Sequence, residues 1–263
     1  MGYAIPHPIL SASSRYMIDT LGFEKHMRQV RKRRGSKIPQ SWYRRPYFYS
    51  LKIEKEKMRL NGESIRFPSF VEKKDYEFEI VGMHLEPIKT SSLQEAIAHV
   101  RENMLFCIMN DASCRDFQAD DMALPLSVAA SKGIADKSFG SSWALGKHLP
   151  IDGNGVFYFG MSLSVNGSER CKTTFDSIYF FDPETGEKKN WSFAEVIAWM
   201  GKMNQGFEKY DLLGSGTVGN GCIAENEDHP WLTSGDVVEM RADGLGELIN
   251  AVKVFKAPHP RIK

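Results

Sequence analysis

The chain has no Cys-x-x-Cys pair, no excess of one charge, no long apolar run and no internal repeat, and each absence removes a class of protein. Cys107, Cys114, Cys171 and Cys222 are too scattered for a zinc site or a disulfide frame, and they read as reduced thiols of a cytoplasmic protein. Lys and Arg number 34 against 33 Asp and Glu, so a net charge of +1 offers no field for a polyanion. The basic run Arg31, Lys32, Arg33 and Arg34 is then expected to be a solvated helix face, and no nucleic-acid partner is expected. No stretch reaches the roughly 18 apolar residues of a membrane-spanning helix. The opening Met1-Gly2-Tyr3-Ala4-Ile5-Pro6-His7-Pro8 lacks the basic start and apolar core of a secretory signal, so no membrane partner is expected either. Without such a signal, the glycosylation-type triplets Asn166-Gly167-Ser168 and Asn190-Trp191-Ser192 carry no weight. The glycine-rich stretch Gly214 to Gly221 lacks the Gly-Lys-Ser/Thr ending of a phosphate loop.

What remains is a chain of 263 residues, 42% hydrophobic, sized for one globular domain or for one domain with an N-terminal extension. Phe23, Met27 and Val30 fall at i, i+4 and i+7, which predicts a helix over 23–34 with Gly35 at its C-terminal cap. Pro39 and Pro46 bracket an irregular aromatic stretch, Ser41-Trp42-Tyr43-Arg44-Arg45. Strands are expected at 47–53, 75–83, 105–111, 155–165, 177–181, 236–242 and 251–257. Capping boxes at Ser92-Leu93-Gln94-Glu95 and Ser192-Phe193-Ala194-Glu195 open two more helices. With so few crossover helices, the class is α+β and β-rich, not a parallel α/β sheet.

The most informative residues are Glu77 and Glu79 in Asp75-Tyr76-Glu77-Phe78-Glu79-Ile80. A strand sends alternate side chains to one face, so both acids point one way and Tyr76, Phe78 and Ile80 the other. Two adjacent carboxylates repel and call for water or a cation between them. A third acid, Asp111, arrives at the end of another apolar run, Leu105-Phe106-Cys107-Ile108-Met109. Three carboxylates converging from strand ends suit a hard divalent ion such as Mg²⁺ or Ca²⁺. Read alone, the same residues make a solvated strand face and a turn acid.

Glu77-x-Glu79 followed by Asn110-Asp111-Ala112-Ser113-Cys114-Arg115-Asp116-Phe117-Gln118 resembles the fumarylacetoacetate hydrolase family. Lys132-Gly133-Ile134-Ala135-Asp136-Lys137-Ser138-Phe139 is similar to that family's lysine segment, and Gly214-Ser215-Gly216-Thr217-Val218-Gly219 to its Gly-Thr turn. Leu232 to Glu239 is similar to its closing strand entry. The resemblance runs from the helix of His26 to near the C-terminus. It implies a mixed β-roll that usually dimerises, with residues 1–50 as an N-terminal arm and lid helix and 51–263 as the catalytic domain. Ala112 and Cys114 depart from the family's Trp and Ala, which alters the pocket beside the metal ligand.

The resemblance also implies roles. Glu77, Glu79 and Asp111 would hold a metal, Mg²⁺ first, with Mn²⁺ or Ca²⁺ also suited. Lys137, a surface lysine on any reading without the resemblance, would stabilise negative charge on an enolate oxygen. Arg115 and Gln118, three apart on one face of a helical turn, would contact substrate oxygens, and Thr217 would donate to a substrate carboxylate. Asp116 would instead anchor its loop. His26, at the edge of the apolar stripe, would activate water together with a glutamate. Three residues on from His26 stands Gln29, and Glu24 lies on another helix face. Another acid, from the 223–230 segment, could fill the role, with Glu225, Glu227 and Asp228 available. The implied activity is metal-dependent hydrolysis of a C–C bond in a β-dicarbonyl substrate, such as an acylpyruvate or diketo acid, through a metal-held enolate. Decarboxylation or isomerisation of a 2-oxo acid through the same enolate is an alternative, as is a non-catalytic binding protein on the same scaffold.

Overall fold

The computed structural model describes residues 16–52, 54–123, 135–140, 144–145 and 149–259. In chain order the strands are β1 (Tyr16–Thr20), β2 (Phe48–Lys52), β3 (Met58–Arg59), β4 (Ile65–Pro68), β5 (Lys74–Asp75), β6 (Phe78–His84), β7 (Met104–Asn110), β8 (Ser113–Cys114) and β9 (Lys137–Phe139). There follow β10 (Ala144–Leu145), β11 (Gly160–Val165), β12 (Ser168–Thr174), β13 (Phe180–Phe181), β14 (Lys188–Lys189), β15 (Leu212–Gly214), β16 (Val237–Ala242) and β17 (Gly246–Phe255). The helices are α1 (Glu24–Arg33), α2 (Gln40–Arg44), α3 (Leu93–Glu102), α4 (Arg115–Ala123) and α5 (Phe193–Lys202).

An eight-stranded sheet runs β2-β1-β15-β6-β7-β9-β3, with β10 also paired to β7, and a five-stranded sheet runs β12-β11-β16-β17-β4. The pairs β1–β15, β3–β9 and β4–β17 are parallel and their neighbours antiparallel, so both sheets are mixed. This is the sheet-rich α+β roll expected from the sequence, with the larger sheet curled. No helix among the described residues is long and apolar enough to cross a membrane.

The central strands β6 and β7 are buried on both faces, which explains their nearly continuous apolar sequence. Phe78, Ile80, Phe106 and Ile108 enter the large core shared with β11, β16, β17, α3 and α5. Val81, Met83, Cys107 and Met109 turn to a second, methionine-rich cluster with Met17, Met58, Phe139 and Leu212. Tyr76 joins the first core, as strand alternation requires, and Glu77 and Glu79 face away from it. A third cluster of Met27, Trp42, Tyr43, Phe180 and Trp191 seats α1 and α2 on the body. Its rings are fixed by Trp42 Nε1 donating to the Leu21 carbonyl at 2.8 Å and Trp191 Nε1 to the Trp42 carbonyl at 3.0 Å.

The helix foreseen over 23–34 runs Glu24–Arg33 and ends at Gly35 with φ +65°. Ser92 caps α3, its hydroxyl accepting from Glu95 N at 3.3 Å. Ser192 does not cap α5 with its side chain; the Asn190 side chain instead accepts from Ser192 N at 3.0 Å and sets the entry. The aromatic stretch between the prolines is a short helix, α2, not irregular chain. The strand expected at 155–165 begins only at Gly160, and 177–181 divides between the end of a 3-10 turn over Phe175–Ile178 and the two-residue strand β13. The charged strand β12 follows a tight hairpin in which Asn166 and Gly167 both have positive φ, 52° and 75°. Asn-Gly is the sequence such a turn selects, so the triplet that resembles a glycosylation site is the turn. The division drawn at residue 50 falls inside β2, whose Ser50 pairs with Ile18 of β1, while Met17 pairs with Leu212 of β15. Residues 16–52 therefore contribute two strands to the main sheet.

Candidate functional site

Three carboxylates meet across β1, β6 and β7, with β15 lying between β1 and β6. Asp19 on β1, Glu79 on β6 and Asp111 just past β7 each offer an oxygen within 4.8 Å of the other two, and all three residues are buried. The neighbouring β15 can pass this point only because Gly214 has no side chain: a Cβ there would run into the Asp19 carboxylate. Each acid is positioned by a protein donor. Tyr49, opposite Asp19 in the β1–β2 register, donates its hydroxyl to Asp19, and Thr20 N donates to the same side chain at 2.8 Å. Thr217 Oγ1 donates to Glu79 at 3.0 Å. Lys137 at the start of β9 forms an ion pair with Asp111.

The electrostatics follow from burial. Desolvation pushes the Tyr49 phenol well above its ordinary value, and the charges of Asp19, Glu77 and Glu79 add to it, so Tyr49 remains a donor. Desolvation lowers the Lys137 pKa, while Asp19, Glu79 and Glu77 work to keep it charged. One ammonium among several buried acids leaves the cluster rich in negative charge. An all-oxygen set of this kind fits a hard divalent cation, and Asp19, Glu79 and Asp111 are the residues placed to hold one.

Of the trio expected from the sequence, Glu79 and Asp111 lie in this cluster with Asp19. Glu77 borders it and is engaged on the other side: Arg115 Nη2 donates to it at 2.9 Å and Ser113 Oγ at 3.2 Å. Arg115 also donates through Nε to Asp75 at 2.7 Å and through Nη1 to Gln118 at 2.8 Å. Burial opposes its charge, but Glu77 and Asp75 outweigh it and hold the guanidinium firmly protonated. Arg115 and Thr217, expected to contact substrate, donate in this structure to protein carboxylates, and the Gln118 side-chain oxygen accepts from Arg115. Asp116 anchors its loop as foreseen, accepting from the backbone of Glu72 and Lys73 at 2.9 Å each.

The second half of the site is built on α1. His26 Nδ1 lies 2.9 Å from Glu225 Oε1, and the other Glu225 oxygen accepts from Cys222 N at 2.9 Å. Glu225 closes a 3-10 turn over Ile223–Glu225. Asp75 holds that turn from below, accepting from Ile223 N at 2.7 Å and Ala224 N at 3.0 Å. Arg33, from the basic end of α1, donates to the Ala224 carbonyl at 2.8 Å, so part of the basic run clamps this turn. A backbone bridge between Glu77 and Cys222 joins the two halves. Burial drives the Cys222 thiol well above its ordinary value, which makes it an inert neighbour.

Gln29 and Glu24, the nearer candidates in sequence, are engaged elsewhere. Gln29 Nε2 donates to Asn220 at 2.5 Å, and Glu24 accepts from Tyr43 at 2.7 Å and from Arg28 at 2.6 Å. With Nδ1 donating to Glu225, the imidazole keeps Nε2 as a base. Asp19 and Tyr49 were not found from the sequence, and Gly214 was read there only as part of a turn. The only local trace is Asp19 ending the short apolar stretch Met17-Ile18, seven residues before His26.

A mixed β-roll with buried carboxylates and a His–Glu pair defines the class of fold, one shared with solved proteins named as hydrolases and isomerases. Residues 16–253 match the family described as fumarylacetoacetate (FAA) hydrolase C-terminal, and the chain belongs to that family. Among solved structures, it is similar to fumarylpyruvate hydrolase from Pseudomonas aeruginosa in complex with Mn²⁺ and pyruvate, with TM-score 0.63 and 19% identity over 93% of this chain and 91% of that one. It is also similar to fumarylacetoacetate hydrolase from psychrophilic Exiguobacterium antarcticum, at 0.64 and 17% over 92% and 76%. A third is 2-hydroxyhepta-2,4-diene-1,7-dioate isomerase from Mycobacterium marinum, at 0.61 and 17% over 92% and 75%. At these identities the likeness is one of fold. A search of curated proteins returns no match.

Proposed function

We propose that the chain hydrolyses a C–C bond between two carbonyl groups of a small β-dicarbonyl acid, an acylpyruvate or related diketo acid. The observation that carries this reading is the His26–Glu225 pair beside the buried carboxylates. Decarboxylation needs no attacking water and so does not call for a histidine oriented by a buried glutamate; isomerisation, the alternative, would use the same base to move a proton between carbons.

In this reading His26 Nε2 takes a proton from water while Glu225 holds the ring and its developing charge through Nδ1. The hydroxide adds to one carbonyl carbon. The bond to the neighbouring carbon breaks, and its electrons pass to the other carbonyl as an enolate. Lys137, paired with Asp111, would supply the cation for the charge on that oxygen. The proton held by His26 returns to the enolate carbon, giving a carboxylic acid and a ketone, with one water consumed. Asp19, Glu79 and Asp111 would hold the divalent ion, with Glu77 and Arg115 bracing them, and the ion when bound supplies Lewis-acid polarisation of a carbonyl oxygen. Mg²⁺, Mn²⁺ and Ca²⁺ all suit this donor set.

The test is to incubate the chelated protein, resupplied with each metal in turn, with a panel of acylpyruvates and with an unsaturated 2-oxo diacid and oxaloacetate. Metal-dependent release of an acid and a keto acid in equal amounts is the expected result. Rearrangement without bond cleavage, or CO₂ release alone, would overturn hydrolysis in favour of the isomerase or decarboxylase reading.

A further inference from the structure

A cavity of about 50 Å³ lies apart from the carboxylate cluster, lined by Tyr76, Arg170, Ile223, His229, Leu232 and Asp236 among others. Tyr76 stands between Asp75 and Glu77 in sequence, but alternation turns its ring to the opposite side from the acids. A single buried water needs about 10–15 Å³ measured this way, so the space takes a small polyatomic ion or a few waters.

Three polar atoms of the lining are buried without a hydrogen-bond partner: Tyr76 Oη, Arg170 Nε and His229 Nδ1. Buried polar groups are rarely left so, and a shared cavity suggests one ligand for all three. Their chemistry selects its sign. Burial drives the Tyr76 phenol far above its ordinary value, so it carries its proton. His229 Nε2 faces Asn226 Nδ2 at 3.3 Å, and an amide donating there leaves the ring proton on Nδ1. Burial, then the Arg170 charge, lowers the His229 pKa, so Arg170 is the fixed cation. Asp236 is the acid of the lining, and it is bound to its own loop. It accepts from Asn166 Nδ2 at 2.8 Å, Thr233 N at 2.7 Å and Thr233 Oγ1 at 3.1 Å. The cavity therefore offers three donors and the Arg170 cation, whose charge also acts on Asp236.

We propose that this cavity binds a small monovalent anion, a carboxylate of formate or acetate size or a halide, at a site separate from the acidic cluster. Such an anion would accept from Tyr76 Oη, Arg170 Nε and His229 Nδ1 together. Ile223 lines the cavity and begins the turn that ends in Glu225, so the bound anion rests against that turn. The inference stands whether or not the chain is a hydrolase.

The test uses the full chain in chelator, which removes any metal that could itself bind a carboxylate. Thermal melts are followed against sodium formate, sodium acetate and sodium bromide at matched ionic strength, for the wild type, Arg170→Gln and Tyr76→Phe. A saturable rise in Tm by mass action is expected for the wild type and not for either variant. A response to the carboxylates alone assigns a carboxylate site, and a response to bromide as well assigns a general monovalent-anion site. Arg170 is half-buried, so its variant serves if Tyr76→Phe does not fold. A bromide-soaked crystal gives an independent reading, with an anomalous peak expected between Arg170 and Tyr76. Equal shifts in wild type and Arg170→Gln, or no saturable shift of the wild type with any of the three salts, would overturn the proposal.

Discussion

His26 Nδ1 and Glu225 Oε1 lie 2.9 Å apart although 199 residues separate them in the chain. The helix brings one partner and a 3-10 turn the other, and the turn is held by Asp75. Asp75 accepts from two backbone N–H groups of the turn and from Arg115, which in turn holds Glu77 beside the carboxylate cluster. The base and the acidic centre are thus tied through one buried network.

Glu225→Gln is expected to lower kcat by about 10²-fold or more, within the usual span of general-base effects. Tm should change little, because the amide fits the same space. His26→Ala should do as much, and the double variant little more, since the pair acts as a unit. Additive losses would mean that the two residues work separately.

Asp19→Asn is expected to abolish the rise in Tm that Mn²⁺ or Mg²⁺ gives to chelated protein. Glu77→Gln is expected to weaken that rise without removing it, and to cost stability outright. Breaking a buried ion pair costs about 3–5 kcal/mol when one charge is left alone. Arg115 keeps Asp75, so a value at or below the low end is expected, read from urea melts without metal. A full metal response in Asp19→Asn would return the third position to Glu77.

Gly214→Ala should be as damaging to metal binding as loss of an acid. The added methyl would collide with the Asp19 carboxylate, and β15 is held between β1 and β6 and cannot swing away. Isothermal titration with Mn²⁺ checks this. An unchanged affinity would show that β15 shifts freely.

Lys137→Met is expected to bind the divalent ion at least as tightly, because it removes the cation that competes for Asp111. Turnover should fall by about 10²–10³, the range for losing one group that stabilises an oxyanion. Lys137→Arg should not rescue it, since a planar guanidinium does not fit the place of a compact ammonium. Retained turnover in Lys137→Met would remove the lysine from the chemistry.

A pH effect on stability is expected from a site remote from the acids. His84 Nδ1 lies 2.9 Å from His99 Nε2, and the His84 ring stacks on Phe207 at 4.4 Å between centroids. Burial, with the His99 charge, holds His84 well below 6.5, and burial also lowers His99. The folded state binds fewer protons than the unfolded one, so stability is intact above the unfolded value near 6.5. It falls as pH drops from there toward the folded pKa. Urea melts between pH 7.5 and 5 should show this decline, and His84→Phe should flatten it. An unchanged slope in that variant would assign the acid sensitivity elsewhere.

Much of the frame was legible locally. The alternation of Glu77 and Glu79 against Tyr76, Phe78 and Ile80 is a property of any strand, and the structure sends the two sets to opposite faces. The stripe Phe23, Met27, Val30 with Gly35 defined α1 to within a residue at each end, and the Ser92 box capped α3. These features are set by neighbours along the chain, within reach of backbone geometry and a single turn. The tertiary structure decided what local geometry cannot. Asp19 reaches Glu79 and Asp111 because the parallel pairing of β1 with β15 carries it across the sheet, and no spacing in the sequence encodes that pairing. Glu225, and not Glu227 or Asp228, meets His26 because Asp75 and Arg33 fix the turn. Arg115 and Thr217, legible as site residues, turned to Glu77 and Glu79. A buried carboxylate left without a donor is costly, and the nearest fixed donors were theirs.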